Sequence, residues 1–262
     1  MDLNLAGRHA LVCGASEGIG RAAAHELALL GADVTVLARR AEVLADVSAA
    51  LPRVAAAQHH GSLAIDIADG AALQAKVGAL VAARPVHILI NNTGGPPGGR
   101  AIEAVADDYL AAFLRHLLAN QWLAQLTVPG MREAAWGRIV NVVSTSVKEP
   151  IANLGVSNTV RGAVASWAKT LSKELGADGI TVNNVLPGYT RTQRLAQILH
   201  DRVQATGKDE AAISAAMLAT VPTGRFAEAH EIAAAIAFLA SPAAAYITGV
   251  SLAVDGGRMQ SI

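Results

Sequence analysis

The sequence predicts an α/β protein built on a parallel, doubly wound sheet. Short apolar runs rich in β-branched residues alternate with longer, alanine-rich segments of helical character over the 262 residues. Strands that are apolar throughout are typical of parallel sheets covered by helices on both faces. Hydrophobic residues make up 52% of the chain and charged residues only 16%. This composition excludes a disordered chain and supplies the apolar surface of a large, covered sheet.

Seven segments are predicted to be strands, because each is a short apolar run of β-rich composition. They are His9–Cys13, Val34–Ala38, Leu63–Asp66, His87–Asn91, Arg138–Ser144, Ile180–Val185 and Val250–Val254. The predicted helices are Ile19–Leu30, Ala71–Ala83, Asp107–Trp136, Asn153–Gly176 and Glu228–Ser241. A break at Pro129-Gly130 is expected within the third of these helices. Repeated strand–helix units with right-handed crossovers predict a three-layer αβα sandwich around a seven-stranded parallel sheet.

Residues 1–262 are predicted to form a single domain, because no low-complexity linker or internal repeat divides the chain. One region, about 190–225, departs from the strand–helix alternation. It is helix-prone, contains Gly207 and ends in Pro222-Thr223-Gly224. An insertion after a late strand lies near the carboxyl ends of the strands, where a substrate lid would sit. A purely structural helical hairpin explains the same pattern.

The charge balance and the apolar segments favour a cytoplasmic protein. The 21 basic residues balance the 21 acidic residues, so neither nucleic acid nor an anionic membrane surface is an expected partner. The apolar stretch Ile232–Val250 approaches the length of a membrane span, but Ser241-Pro242 interrupts it, and a helix followed by a turn is the better interpretation. The N-terminus lacks the pattern of a secretory signal. The single cysteine, Cys13, is expected to be a buried, inert thiol, and no metal site is predicted.

A glycine-rich loop follows the first predicted strand and leads into the first predicted helix. Its sequence is Cys13-Gly14-Ala15-Ser16-Glu17-Gly18-Ile19-Gly20. Gly14 permits a tight turn, Gly18 allows the backbone to approach a phosphate, and Gly20 allows the helix to pack on the strand. The helix N-terminus presents free N–H groups and a positive dipole end to a pyrophosphate. The loop therefore predicts a Rossmann-type dinucleotide site, to which Ser16, Glu17 and Ile19 also belong.

The end of the second predicted strand favours NADP(H) over NAD(H). Arg39-Arg40 stands there, with no acidic residue to bind the adenosine ribose hydroxyls. Arg39 is a candidate partner for a 2′-phosphate. A solvated arginine at a helix start explains the same residue, and the negative charge of Glu17 opposes the preference, so NAD(H) stays open.

The end of the third predicted strand supplies a candidate adenine contact. Asp66 and Ile67 are expected beside the adenine of the cofactor. The other interpretation of Asp66 is a helix N-cap, a role that Asp69 can serve instead.

Five motifs in order carry a resemblance to a known family. They are Gly14-x-x-x-Gly18-Ile19-Gly20, Asn91-Asn92-Thr93-Gly94, Gly137-Arg138-Ile139-Val140-Asn141-Val142-Val143-Ser144, Asn183-Asn184-Val185-Leu186-Pro187-Gly188, and Thr248-Gly249 with Asp255-Gly256-Gly257. Over nearly its whole length the chain resembles the short-chain dehydrogenase/reductase family, and most closely its 3-oxoacyl-ACP reductase-like branch. The resemblance implies a nicotinamide cofactor, a small-molecule substrate, and a homotetramer or homodimer. The further residues that it places along the cofactor are Asn92, Thr93, Gly94, Pro187, Gly188 and Thr192.

The resemblance also implies a catalytic set from which this chain departs. In the family, a serine polarises the carbonyl, a tyrosine thirteen residues later donates the proton, and a lysine four residues further lowers the tyrosine pKa and holds the ribose. Ser144 matches the serine, but the next two positions hold Ser157 and Arg161. The family's asparagine position holds His116, with Asn120 one turn away. Serine is a far weaker acid than tyrosine, and a protonated Arg161 binds a ribose or an oxyanion but does not relay a proton.

Three replacements for the missing proton donor are open. Tyr189 is a phenol near the expected nicotinamide, although an aromatic packed at the mouth of the cleft explains it at least as well. His116 has an unperturbed pKa near neutrality, but a histidine on a helix face or at an interface is the simpler interpretation. A water held by the two serines and Arg161 is the third replacement.

Two functions are therefore predicted. The first is an NAD(P)(H)-dependent oxidoreductase that reduces a carbonyl or oxidises an alcohol with an altered proton donor, and its support is the intact glycine-rich loop. The alternative is a dinucleotide-binding protein with little or no redox activity, such as a sensor, a scaffold or a partner subunit. Its support is the loss of the tyrosine and the lysine. Non-redox chemistry on the same fold has no positive support in the residues.

Overall fold

The computed structural model describes residues 1–261 and contains a sheet of seven parallel strands. In chain order, β1 to β7 are His9–Cys13, Asp33–Ala38, Gly61–Ala64, Ile88–Asn91, Gly137–Val142, Ile180–Pro187 and Ser251–Val254. They lie in the order β3-β2-β1-β4-β5-β6-β7, and each neighbouring pair is parallel. The predicted seven-stranded, doubly wound sheet is thereby confirmed.

Helices cover both faces of the sheet. In chain order, α1 to α9 are Gly18–Leu29, Ala41–Ala49, Gly70–Ala83, Ala106–Phe113, Ala119–Glu133, Gly155–Leu175, Gln193–Thr206, Glu210–Leu218 and Ala229–Ala240. One apolar core includes residues of α1, α2 and α9, and a second includes residues of α3, α5 and α6. Central strands such as β1 and β4 are buried at every residue, which is why their sequences are almost continuously apolar. The result is the predicted three-layer αβα sandwich.

The winding of the sheet reverses between β1 and β4, and this reversal fixes where the site lies. From β1 the chain winds outward through β2 to β3, and it then returns to β4 on the other side of β1. Ala10 of β1 is paired with Val34 of β2 on one side and with Ile88 of β4 on the other. The loops that leave the carboxyl ends of β1 and β4 therefore diverge, which opens a crevice between them.

The long helix predicted over 107–136 is divided at another place than expected. The chain forms α4, one turn of π-helix over Leu114–Leu118, and then α5. Pro129 lies inside α5, so the predicted break at Pro129-Gly130 is wrong. Val128 and Met131, on either side of the proline, are buried in the core, and this tertiary packing holds the helix together where local propensity opposes it.

The region 190–225 forms two helices, α7 and α8, with Gly207 at the end of the first. Gly207 has a φ of +65°, a left-handed conformation that favours glycine and ends α7. The two helices enclose a small apolar core of their own. Its buried members are Leu195, Leu199, Ile213, Met217 and Phe226. This hairpin is compatible with a lid and with a structural insertion, and the lid stays a prediction.

The apolar stretch 232–250 is divided between several elements. The helix α9 ends at Ala240, and a single 3-10 turn over Pro242–Ala244 follows it. Among the helices formed by residues 1–261, none is both long enough and apolar enough to cross a membrane.

A buried histidine lies at the start of β1, at the end of the sheet opposite the crevice. His9 is 2% exposed. Its Nδ1 lies 3.1 Å from the carbonyl oxygen of Pro85, and its Nε2 lies 2.8 Å from the hydroxyl oxygen of Thr35. The carbonyl can only accept, so Nδ1 carries the proton and Nε2 accepts from Thr35 when the ring is neutral. Burial, aided by the charge of Arg84, lowers the pKa of His9 to about 4.

We predict an acid-sensitive contribution of His9 to folding. Because the folded-state pKa lies below the unfolded value of about 6.5, the unfolded chain takes up the proton first as the pH falls. The contribution is therefore full above pH 6.5 and is lost as the pH approaches 4, with a total of about 3 kcal/mol. Urea unfolding at pH 7.5 and pH 4.5 measures this loss, and His9→Gln should show a smaller difference. An equal difference in both proteins would contradict the assignment.

Candidate active site

The glycine-rich loop is folded tightly against the ends of β1 and β4. Gly14 has a φ of +61°, and a Cβ at this position would lie 2.6 Å from Nδ2 of Asn92. A Cβ at Gly20 would lie 2.3 Å from the carbonyl oxygen of Gly14. The side-chain amide of Asn92 donates to the carbonyl oxygens of Cys13 and Gly14, both at 3.3 Å. Any larger residue at Gly14 or Gly20 would force these backbones apart.

The N-terminus of α1 has no side-chain cap. Glu17 occupies the N-cap position but forms no side-chain cap. Its carboxylate lies instead 2.7 Å from Nη2 of Arg40, and the amide of Gln193 is also within hydrogen-bond distance of it. The first N–H groups of α1, around Ile19, therefore remain available to an anion.

The arginine that reaches the loop is Arg40, whereas the sequence singled out Arg39. Nη2 of Arg40 lies 3.4 Å from Oγ of Ser16 and 2.7 Å from Oε2 of Glu17. Arg39 is exposed, and the structure does not bring its side chain to the loop. Both arginines lie in the short connection between β2 and α2, where Arg40 is the N-cap residue, so no strand or helix periodicity predicts which of the two reaches the loop.

The residues after β3 and β4 line the flanks of the crevice. Asp66 lies two residues beyond β3 and accepts from the backbone N–H of Ala68, while Asp69 is the residue that caps α3. Ile67 packs on the second apolar core. Thr93 is half-buried, and a Cβ added to Gly94 would meet nothing within 4 Å. The β4 loop thus leaves open space beside Gly94.

The residues after β6 close the other side of the crevice. Pro187 is the last residue of β6. A Cβ at Gly188 would lie 2.7 Å from Cα of Asp255, so this turn also requires glycine. Thr192 caps α7 through the N–H of Leu195. A Cβ at Gly18 would lie 3.2 Å from Cγ2 of Thr192, so the base of α7 meets the glycine-rich loop.

Ser144, Ser157 and Arg161 lie near the carboxyl end of β5. Ser144 follows the strand, and its Oγ accepts from the N–H of Ser146 at 3.1 Å. Nε of Arg161 donates to Oγ of Ser157 at 3.2 Å, one helical turn earlier on α6. Nη1 of Arg161 donates to the carbonyl oxygen of Val143 at 2.6 Å. Burial and the nearby charge of Arg194 lower the pKa of Arg161 to about 10, so Arg161 stays protonated at neutral pH.

His116 lies on the π-helical turn and close to this group. It is 6% exposed. Burial, with the positive charges of Arg161 and Arg115, lowers its pKa to about 3, and the carbonyl of Gly94 opposes this shift only in part. This shift disfavours the imidazolium form near neutral pH and so counts against His116 as the proton donor. Asn120, one turn further on, is also buried.

Tyr189 is held by packing at the mouth of the crevice. Its ring meets the ring of Phe226 edge to face, with centroids 6.2 Å apart. The guanidinium of Arg258 lies over its other side, 4.6 Å from the ring centroid. Nη1 of Arg258 also donates to Oγ1 of Thr145, next to Ser144. This geometry favours the packing role of Tyr189.

Two arginines of the site were missed by the sequence reasoning. Arg194 extends from α7 and donates to the carbonyl oxygen of Pro96 at 2.9 Å. Arg258 reaches the site from the C-terminal segment. Neither residue lies in a motif, and both arrive from segments distant in the sequence, so no local signal was present to find them.

Comparison with known proteins agrees with this geometry. Residues 14–258 match the family described as Enoyl-(Acyl carrier protein) reductase. The chain belongs to the short-chain dehydrogenase/reductase family. It is 33% identical over 258 residues to the 3-oxoacyl-[acyl-carrier-protein] reductase FabG of Vibrio harveyi, a match that covers 97% of this chain and 98% of that relative. The resemblance drawn from the motifs is thus confirmed.

Solved structures of this family superpose closely on the chain. The NADPH dependent reductase YwfH, involved in bacilysin biosynthesis, has a TM-score of 0.92 and 30% identity, covering 97% of this chain and 99% of its own. The L-sorbose reductase of Gluconobacter frateurii, in complex with NADPH and L-sorbose, has a TM-score of 0.92 and 28% identity over the whole of both chains.

The residues of the crevice fit a nicotinamide dinucleotide. The uncapped N-terminus of α1 is suited to the pyrophosphate. The close contacts that a Cβ would make at Gly14 and Gly20 show that the loop requires glycine at these positions, and open space lies beside Gly94.

We predict that the loop tolerates no side chain at Gly14. Gly14→Ala places a Cβ against Asn92 in a left-handed backbone conformation, so it should lower the free energy of unfolding by about 2 to 3 kcal/mol. Gly162→Ala is the matched control, because Gly162 lies inside α6 and its Cβ would meet nothing within 4 Å. This control should stabilise the protein by about 0.5 to 1 kcal/mol. Chemical denaturation measures both, and an unaffected Gly14→Ala protein would contradict the packing described here.

Proposed function

We propose that this protein is an NADP(H)-dependent reductase of a carbonyl compound, or the dehydrogenase of the corresponding alcohol, with a serine–arginine pair in place of the tyrosine–lysine pair. The supporting observation is the position of Arg161. Its guanidinium joins Ser157 to the end of β5, directly beside Ser144, in a chain that keeps the whole glycine-rich loop.

The two serines have hydroxyl protons to offer to a carbonyl oxygen. Oγ of Ser144 accepts from the N–H of Ser146, so its own proton is free to point into the crevice. Oγ of Ser157 accepts from Nε of Arg161, so its proton is free in the same way. Two donors on one oxygen polarise the carbonyl and stabilise the alkoxide that forms.

Arg161 supplies charge rather than a proton. A bound nicotinamide cofactor would supply the hydride that converts the carbonyl into an alkoxide. The alkoxide oxygen takes its proton from the Ser157 hydroxyl or from a water bonded to it, and solvent replaces that proton. The positive charge of Arg161 stabilises both the alkoxide and a transient Ser157 oxyanion. A neutral His116 and a packed Tyr189 are less suited to this role.

The preference for NADP(H) rests on Arg40. Its guanidinium lies beside Ser16 and Glu17 at the end of β2, where the 2′-phosphate of NADP(H) would bind. The structural relatives named above support the same cofactor, since one is an NADPH dependent reductase and the other is in complex with NADPH.

Arg40→Ala should weaken NADPH binding by about tenfold or more and leave NADH binding nearly unchanged, because it removes a charge-assisted bond to the 2′-phosphate. Arg39→Ala is the matched control from the adjacent position, with little expected change for either cofactor. Fluorescence titration of both cofactors measures the four dissociation constants. If Arg39→Ala carries the selective loss instead, the assignment of Arg40 is wrong.

Ser157→Ala should lower kcat for NADPH-dependent carbonyl reduction by about tenfold to a hundredfold, since it removes a positioned proton donor. Ser166→Ala, at an exposed serine of the same helix, is the control and should retain the wild-type rate. Steady-state NADPH oxidation over a panel of aldehydes and ketones provides the measurement. Unchanged turnover in Ser157→Ala would assign the proton to another group.

The loss of the tyrosine and the lysine favours one competing function, a dinucleotide-binding protein with little redox activity. The same panel of aldehydes and ketones distinguishes the reductase from this competing function. Wild-type protein that binds NADPH in the fluorescence titration, yet oxidises none at high enzyme concentration, would establish the competing function.

A further inference from the structure

We propose that Arg161 and Arg194 form a binding site for a carboxylate of the substrate, so that the protein acts on carbonyl compounds that also carry an acid group. This inference rests on the proposed function and names the class of its substrate. It follows from the convergence, beside Gly95, of two arginines that have no acidic partner.

The two guanidinium groups approach the same point. A Cβ added to Gly95 would lie 3.3 Å from Nη2 of Arg161 and 3.6 Å from Nη2 of Arg194. Gly95 has no side chain, and a Cβ added to its neighbour Gly94 would meet nothing within 4 Å. The Nη2 groups of the two arginines thus lie together against Gly95, and the neighbouring position, Gly94, faces open space.

Neither arginine is neutralised by the protein. Within residues 1–261, the ion pairs of the structure include neither Arg161 nor Arg194. Other arginines near the base of α7 are paired, since Arg191 contacts Glu228 and Arg225 contacts Glu231. Two like charges held together in a partly buried crevice repel each other, and an anion between them removes that repulsion.

The remaining hydrogen-bonding capacity of both groups suits a carboxylate. Arg161 uses Nε and Nη1 for Ser157 and Val143, and its Nη2 makes no hydrogen bond to residues 1–261. Arg194 uses Nη2 for the carbonyl oxygen of Pro96. Guanidinium groups bind the two oxygens of a carboxylate with paired, charge-assisted bonds. Because Arg161 also binds the carbonyl of Val143, next to Ser144, the acid group would lie close to the reacting carbonyl.

The two arginines belong to different parts of the fold. Arg161 lies on α6, which packs against β6 of the sheet. Arg194 lies in the first turn of α7, which packs on the small core of the helical hairpin. A carboxylate held by both would therefore link the hairpin to the sheet.

The phosphates of the cofactor are the other source of an anion at this position. The pyrophosphate is expected at the N-terminus of α1, where Gly18 faces Thr192. Arg194 instead extends to the loop after β4 and bonds Pro96. The geometry therefore favours the substrate, and the experiment separates the two sources.

The first measurement compares acids with their esters. A series of keto acids of increasing chain length is assayed with NADPH beside the matching methyl esters, which lack the charge. We expect kcat/KM to be higher for the best acid than for its ester by about tenfold to a hundredfold. Arg194→Gln should bring this ratio close to one, Arg194→Lys should restore part of it, and Arg202→Gln, two turns further along α7, should leave it unchanged.

The second measurement does not need turnover. Oxalate is titrated into the wild-type protein and Arg194→Gln, with and without saturating NADP⁺, and binding is followed by calorimetry, with thermal unfolding as a check that both proteins are folded. Saturable oxalate binding that persists with NADP⁺ and weakens at least tenfold in Arg194→Gln supports the site.

The other outcomes of the kinetic and the oxalate-binding measurements also decide for or against the proposed carboxylate site. Equal kcat/KM for acids and esters in the wild type, or no oxalate binding, overturns the proposal. Competition between oxalate and NADP⁺, with weaker NADP⁺ binding in Arg194→Gln, assigns the arginines to the cofactor and overturns it as well. Oxalate binding without reduction of any acid or ester supports the anion site and counts against the reductase function.

Discussion

The contact between the carboxyl ends of β1 and β4 is the constraint on which the rest of the site depends. Asn92 at the end of β4 donates its side-chain amide to the carbonyl oxygens of Cys13 and Gly14. The approach is so close that neither Gly14 nor Gly20 has room for a Cβ. Because the loop is held in this way, the N-terminus of α1 is fixed at the crevice with its N–H groups uncapped. The dinucleotide site is thus a consequence of sheet topology and of glycine at two positions.

A ladder of buried amides fixes the register of the remaining strands. Asn91 of β4 donates to Asn141 of β5, Asn141 donates to Asn184 of β6, and Asn184 donates to Ser251 of β7. These residues are also register partners in the parallel sheet. A slip of one residue in any strand would leave buried amides without partners, which is costly in a core. The ladder therefore helps to set the level at which the strands end and at which the loops of the crevice begin.

Arg161 strongly influences the electrostatics of the crevice. Arg161 holds a permanent charge among buried groups, and this charge helps to keep His116 neutral. Arg194 and Arg258 add two further guanidinium groups, one on each side of Ser144 and Arg161. A site of this kind stabilises negative charge on a substrate or on a developing alkoxide. Because arginine stays protonated, it is less suited to relaying protons.

The sequence alone determined the fold, because strand burial and the positions of glycine leave local signals. All seven strands and the glycine-rich loop were predicted, with strand ends displaced by one or two residues. The helix α2 was missed, and the proline inside α5 was taken for a break, because long-range packing overrides local propensity at these places. The position of Ser144, Ser157 and Arg161 was also available from motif spacing.

Only the tertiary structure decided which charged groups share the crevice. Arg40 rather than Arg39 reaches Ser16 and Glu17, because the backbone of the connection between β2 and α2 directs the side chains there, and no periodic pattern predicts it. The burial that keeps His116 neutral comes from surrounding elements and leaves no pattern in the sequence. Arg194 and Arg161 are far apart in the chain but close together in the structure, so only the structure shows that their guanidinium groups are neighbours.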